Sequence, residues 1–109
     1  MRKAAIYRNG ELAGALVEEN RQQYLFRYAD AWLADSSKPA VSLTLPKTQQ
    51  EFRSEHLFPF FFNLLSEGVN RRLQSTQLRI DEDDHFGLLL ATAQHDTVGA
   101  VTVKPWPES

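Results

Sequence analysis

Ala4-Ala5-Ile6-Tyr7-Arg8-Asn9-Gly10-Glu11-Leu12-Ala13-Gly14-Ala15-Leu16-Val17 is the stretch from which the fold can be read. Asn9-Gly10 sits between two apolar-rich runs and suits the consecutive positive φ angles of a two-residue hairpin turn, so these residues predict strand, tight turn, strand. Outward from the hairpin, Gln23-Tyr24-Leu25-Phe26-Arg27-Tyr28 alternates, with Tyr24, Phe26 and Tyr28 on one face, and Glu19-Asn20-Arg21 supplies a second turn. Three antiparallel strands follow from these runs.

Further along, Asp30 is expected to cap a short helix through Trp32 and Leu33 that ends at Asp35-Ser36-Ser37. Val41-Ser42-Leu43-Thr44-Leu45 alternates as a strand would, and Pro46 ends it by removing a ladder donor. Residues 47–54 lack an apolar period and read as a mobile surface loop. Leu57, Phe60, Phe61, Leu64 and Leu65 follow helical spacing while Phe58 and Phe62 add a second stripe, which predicts a helix over 57–65 with two packing partners. Pro59 is tolerable in its first turn, and Gly68 reads as its stop. Residues 70–77 predict another helix, with Arg71 and Arg72 outward and Val69 and Leu73 inward. Asp83 or Asp84 is expected to cap a third helix that shares Phe86, Leu89, Leu90 and Ala93 on one face. Asp96-Thr97 turns the chain into a last strand over 98–103, and Pro105-Trp106-Pro107 ends it. The expected class is α+β, a twisted, mainly antiparallel sheet of about five strands packed with three to four short helices. One domain over 1–104 and a tail over 105–109 are expected.

Composition fits one globular domain: 109 residues, 42% apolar, with 7 Phe, 3 Tyr and 2 Trp to bury, which argues against a disordered regulator. The absence of cysteine excludes a disulfide framework, a thiolate zinc site and a cysteine nucleophile. Twelve Lys plus Arg against 14 Asp plus Glu provide no overall field toward nucleic acid or anionic lipid. Direct nucleic-acid and membrane partners are therefore not expected. No apolar run approaches the roughly 20 residues of a membrane span, and Met1-Arg2-Lys3 precedes only three apolar residues, so a cytoplasmic location is the expectation.

Asp81-Glu82-Asp83-Asp84-His85 invites a divalent metal, but contiguous side chains diverge and lack calcium-loop spacing, so a solvated capping turn is the simpler reading. A metal-dependent phosphoesterase is the remote alternative. His56, His85 and His95 stand near turns and helix ends without a nucleophile elbow or a paired zinc motif. The five glycines form no phosphate-cradling pattern. Arg71, Arg72 and Arg79 could meet phosphates, but acidic residues flank them. No catalytic residue, metal or cofactor is expected, and what remains is an interaction module.

Tyr7-x-Asn9-Gly10-x-Leu12-x-Gly14, Phe26-x-Tyr28 with Trp32-Leu33, and Ser42-Leu43-x-Leu45-Pro46 together resemble the N-terminal subdomain of the HipA family of serine/threonine kinase toxins. Phe58-x-Phe60-Phe61-Phe62-Asn63-Leu64-Leu65-Ser66-Glu67-Gly68 is similar to that family's aromatic helix and following corner. Phe86-Gly87-Leu88-Leu89 and Asp96-x-Val98-Gly99-Ala100-Val101 are similar to its closing helix and strand. The resemblance spans residues 4–104. It implies that ATP binding and catalysis belong to a kinase core that these residues do not resemble. It further implies a non-enzymatic, HipS-like antitoxin subunit of a split, HipBST-type system that binds and inhibits a HipA/HipT-like kinase. A HipB-like helix-turn-helix protein would supply operator binding. A scaffold that stabilises the kinase complex without inhibiting it is the alternative. The resemblance places kinase contact at Ser66, Glu67, Gly68, Val69, Asn70, Arg71 and Arg72, for which a helix end and loop is the plain structural reading. Split members often carry Trp directly after Glu-Gly. Val69 stands there in this chain and Ser66 replaces the usual Pro, which shifts the expectation from aromatic cleft-plugging toward docking by the corner.

Overall fold

The computed structural model describes residues 2–20, 22–65, 68–92 and 101–106, with backbone alone for 68–71. Five strands form one sheet: β1 Arg2–Arg8, β2 Glu11–Asn20, β3 Gln23–Tyr28, β4 Glu51–Ser54 and β5 Val101–Pro105, in the order β4-β3-β2-β1-β5, every pairing antiparallel. The described helices are α1 Asp30–Ala34, α2 Pro59–Phe62, α3 Gly68–Leu78 and α4 His85–Thr92. The class is α+β, as expected.

The β1–β2 turn forms as the sequence requires, with Asn9 at φ 53° and Gly10 at φ 80°. Pairing then slips between Ile6 and Tyr7: Tyr7 opposes Leu12 while Ile6 opposes Gly14, so Ala13 is the extra residue of a bulge. The slip lets Ala13 join Ala4, Ile6 and Leu16 beneath the helices. Tyr24, Phe26 and Tyr28 enter the same core from β3, where Phe26 and Tyr28 meet edge-on at 4.8 Å.

Residues 41–45 are not a strand. Val41 and Leu45 are buried, but Leu43 is 99% exposed, where alternation had put all three on one face. The backbone bonds locally, Leu45 N–H to Ser42 O at 3.0 Å, and to one buried phenol: Val41 N–H donates to Tyr28 Oη at 2.9 Å, and Tyr28 donates onward to the Leu45 carbonyl. Two apolar anchors and a tyrosine thus replace a ladder. The fourth strand is instead β4, inside the stretch expected to be a mobile loop. It pairs with β3, placing Phe52 opposite Phe26. A four-residue edge strand with one inward apolar side chain shows no alternation to detect.

Asp30 does not cap α1; it is the first helical residue, and the N-cap is Ala29 without a side-chain bond. The Asp30 carboxylate accepts instead from Gln50 Nε2 at 2.6 Å. α2 is a single turn with Pro59 in its first turn, and bonds from Leu64 N–H to Phe61 O and from Leu65 N–H to Phe62 O continue it as tighter turns. Those turns still seat Phe61 and Leu65 in the core. Gly68 opens α3 rather than ending the helix before it, in keeping with the lack of intrahelical acceptors for first-turn N–H groups. Leu73 is 54% exposed rather than inward, and the buried side chain nearby is Ser75, whose hydroxyl donates to Arg72 O at 2.8 Å.

α3 ends on Arg79 at φ 57°, with Ile80 N–H to Ser75 O at 3.0 Å and Arg79 N–H to Thr76 O at 3.3 Å. This is the paired-bond ending usually completed by glycine. Arg79→Gly is therefore expected to stabilise the fold by about 0.5 kcal/mol, the left-handed penalty relieved being offset in part by unfolded-chain entropy. A raised thermal midpoint checks it. The expected last strand is observed as β5, beginning at Val101; residues 93–100, including Ala93, His95 and the predicted turn at Asp96-Thr97, lie outside those described.

Candidate functional site

The corner expected to meet a partner lies before and within the first turn of α3. Ser66 and Glu67 lie outside the described residues, and Gly68, Val69, Asn70 and Arg71 are described as helical backbone only. Arg72 is the one residue of the set with a described side chain. It is 72% exposed, with Nε 3.8 Å from Glu82 Oε2, a surface pair of little worth to stability. Leu73 beside it and Leu78 at the helix end, 44% exposed, are apolar side chains that α3 leaves in solvent. The helix thus carries a cation and a leucine side by side, outside the core.

A second assembly went unnoticed in the sequence. Arg2 Nε donates to Glu18 Oε1 at 2.8 Å, and its two terminal nitrogens grip Asp84 at 2.7 and 3.1 Å. Tyr24 Oη donates to the other Glu18 oxygen at 3.1 Å, and the guanidinium lies 5.1 Å from the centre of the Phe86 ring. Asp84 also accepts from Gly87 N–H at 3.1 Å, capping α4 as the sequence predicts. A Cβ at Gly87 would collide with that carboxylate, which explains a glycine beside Phe86. The clasp therefore ties β1, β2 and β3 to the start of α4. Its Asp84 and Glu18 hydrogen bonds hold Arg2 above its ordinary pKa against the opposing effect of burial.

Beside the clasp is a cavity of about 420 Å³ whose lining includes Arg2, Glu18, His56, Asp83 and His85. The charged atoms of Arg2, Glu18 and Asp84 are committed to one another, Asp81 accepts from Asp83 N–H at 2.9 Å, and His85 meets the Phe62 ring edge-on. Among the described residues, no three of His, Asp or Glu converge as metal ligands. The contacts of Arg2, Glu18 and Asp84 hold the sheet to α4 beside this cavity.

Both core tyrosines have raised pKa values, Tyr24 through burial and then the Glu18 charge, Tyr28 through burial against the opposing Val41 hydrogen bond. The folded state holds these phenol protons more tightly than the unfolded chain, whose tyrosines ionise near pH ~10. Their contribution is complete below that pH and is lost as pH rises through the folded values. The urea midpoint is accordingly expected to fall between pH 9 and pH 11, and Tyr24→Phe to shrink the fall. A flat profile would contradict it.

Comparison with known proteins places this geometry in context. The family model described as HipA N-terminal domain matches residues 4–104. A solved structure titled N-terminal domain of HipA toxin superposes with a TM-score of 0.72 at 29% identity, covering 100% of this chain and 96% of that one. An uncharacterized protein of Haemophilus influenzae is 33% identical over 104 residues, which are 95% of this chain and 92% of that protein. Two Sinorhizobium fredii proteins, named Putative kinase Y4mE and Putative kinase Y4dM, are 28% and 31% identical. The alignments cover 92% and 88% of this chain but only 24% and 25% of those kinases. Among the described residues, no helix is long and apolar enough to cross a membrane.

Proposed function

Because the chain belongs to the HipA N-terminal domain family, we propose that it is a non-catalytic, antitoxin-like subunit that binds and inhibits a HipA-type serine/threonine kinase. The observation that carries the reading is the pattern of coverage: this domain makes up about a quarter of two proteins with kinase names, and nearly the whole of the Haemophilus influenzae relative. A domain found both fused and nearly by itself is suited to complement a kinase in trans.

Docking is assigned to the 66–72 corner and the start of α3, where Arg72 and Leu73 stand exposed together. Bound there, the subunit would act by holding the kinase in a conformation in which its phosphate-binding loop is misplaced, or by covering the site of the protein substrate. Either requires tighter binding to the inactive state than to the active one, and no chemistry from this chain. A HipB-like helix-turn-helix protein completes the proposed complex and supplies its DNA contact.

Co-expression with a HipA-type kinase, followed by co-purification, a phosphorylation assay and a growth assay, tests the reading. A stable complex with kinase activity and toxicity suppressed is the expected result. A stable complex with undiminished activity would make the chain a scaffold, and no complex would refute the proposal. The double variant Arg71→Glu/Arg72→Glu is expected to weaken kinase binding about tenfold, a typical effect for interface charges. Its thermal midpoint is expected to stay near that of the parent, the Arg72 side chain being exposed and such substitutions changing stability little.

A further inference from the structure

The sheet has two faces, and the described helices pack on one, whereas Trp106 lies on the other. Alternation along the strands sends Tyr7 and Ala5 of β1, Leu12, Ala15 and Val17 of β2, and Leu25 of β3 to the other face. None of these six belongs to the core cluster or to the side chains packed against it; Ala5 is fully buried between its neighbours, Tyr7, Ala15, Val17 and Leu25 are half-buried, and Leu12 is exposed. Register joins them: Ala5 lies opposite Ala15, Val17 opposite Leu25, and Tyr7 opposite Leu12, so they form one apolar band across three strands. Its middle is low at Ala15, which lies between larger side chains. A shallow hollow of about 190 Å³ opens there, lined in part by Leu12, Ala15, Lys3, Arg27 and Trp106.

Charge on this face is uneven. On the β3–β4 side each arginine has a carboxylate, Arg27 with Glu51 at 2.8 Å and Arg53 with Glu19 at 3.0 Å. On the β1–β5 side the cations meet rings instead: Lys3 Nζ lies 4.0 Å from the centre of Trp106, and Lys104 Nζ lies 5.5 Å from that of Tyr7. Among the described residues, neither lysine has a carboxylate within ion-pair distance. A ring positions an ammonium without neutralising it, so one half of the face keeps two positive charges beside an apolar floor.

We infer that this open face is a second docking surface, distinct from the 66–72 corner, and that its occupant is an acidic, apolar-centred surface of the partner kinase. The inference rests on the kinase-subunit reading above. Charge complementarity selects an acidic occupant, and the aliphatic band selects protein over nucleic acid, which would need stacking rings or groove-matched donors rather than Ala, Val and Leu. The two surfaces together would hold the kinase from both sides of the sheet.

The test measures affinity of the intact chain and its variants for the purified HipA-type kinase across a salt series. Lys3→Glu/Lys104→Glu is expected to weaken binding at least tenfold at low salt and to flatten its salt dependence, as loss of steering charges does. Leu25→Asp is expected to weaken it about 30-fold, the scale of a central interface residue. Because a substitution at half-buried Leu25 can impair folding, the exposed lysine pair is the deciding variant, with its melting curve as control. A parent chain that binds while the lysine variant binds equally well overturns the second surface and leaves the kinase reading standing. A parent chain that does not bind overturns both. Self-association of the parent, or binding to a labelled DNA duplex, that the lysine variant abolishes while keeping kinase affinity assigns the face to another occupant and overturns the inference.

Discussion

Phe61→Ala is expected to lower the unfolding free energy by about 3–5 kcal/mol, a large part of the ~5–15 kcal/mol that a domain this size has in total. Phe61 has no solvent exposure, and its ring meets Phe60 at 5.2 Å, Phe26 at 5.6 Å and Phe58 at 6.3 Å. It is the point at which the one-turn helix α2 grips the sheet, with so few backbone bonds of its own that packing must hold it in place. Truncation removes the ring from water-excluded space and leaves a cavity that a single turn braced by Pro59 cannot collapse to fill. Urea denaturation followed by tryptophan fluorescence measures the loss, and Phe61→Leu should restore more than half of it. A loss below 1 kcal/mol for the alanine variant would mean that α2 is not seated as described.

Gly14→Ala should be nearly as damaging, at about 3 kcal/mol, for an opposite reason. A methyl group at Gly14 would stand 2.5 Å from the Arg27 carbonyl oxygen and 3.0 Å from the Phe26 ring. Backbone on the neighbouring strand cannot swing aside as a flexible side chain can, so β2 and β3 must part or the Phe26 ring must leave its packed position. Gly10 owes its place to a positive φ; Gly14 owes its place to crowding alone. The contrast is testable in one experiment, since Gly10→Asn should be tolerated, asparagine being a common left-handed turn residue, and Gly14→Asn should not. Thermal melts of the two variants separate the causes.

The hairpin, β3 and the Asp84 cap were legible because each signal is local. A dipeptide sets a turn, alternation marks a buried face, and a carboxylate three residues before an N–H caps a helix. Residues 41–45 misled because alternation reports which side chains are apolar, not what their backbone bonds to. Here the acceptor and donor come from Tyr28, 13 and 17 residues away. β4 was missed since its polar composition suits an edge strand as well as a loop. Of the corner proposed to meet a kinase, the helix that follows it was legible as α3, whereas the outward turn of Leu73 was not, a leucine at helical spacing being ordinarily a core residue. The Arg2 clasp had no sequence signal at all: its partners lie 16 and 82 residues away, and an arginine at position 2 looks like any terminal cation.

Local chemistry alone therefore settled the meander, the class of the fold and the cap of α4, since the signals for these lie among neighbours within a few residues. Only the folded chain decided that Arg2 locks the sheet to α4, that 41–45 is an anchored turn, and that one sheet face carries a half-buried apolar band, outside the core cluster, with two lysines beside it. Those outcomes depend on which distant groups arrive within hydrogen-bonding or van der Waals range. That is a property of strand order and register, in which β5, the last strand in sequence, pairs with β1, the first.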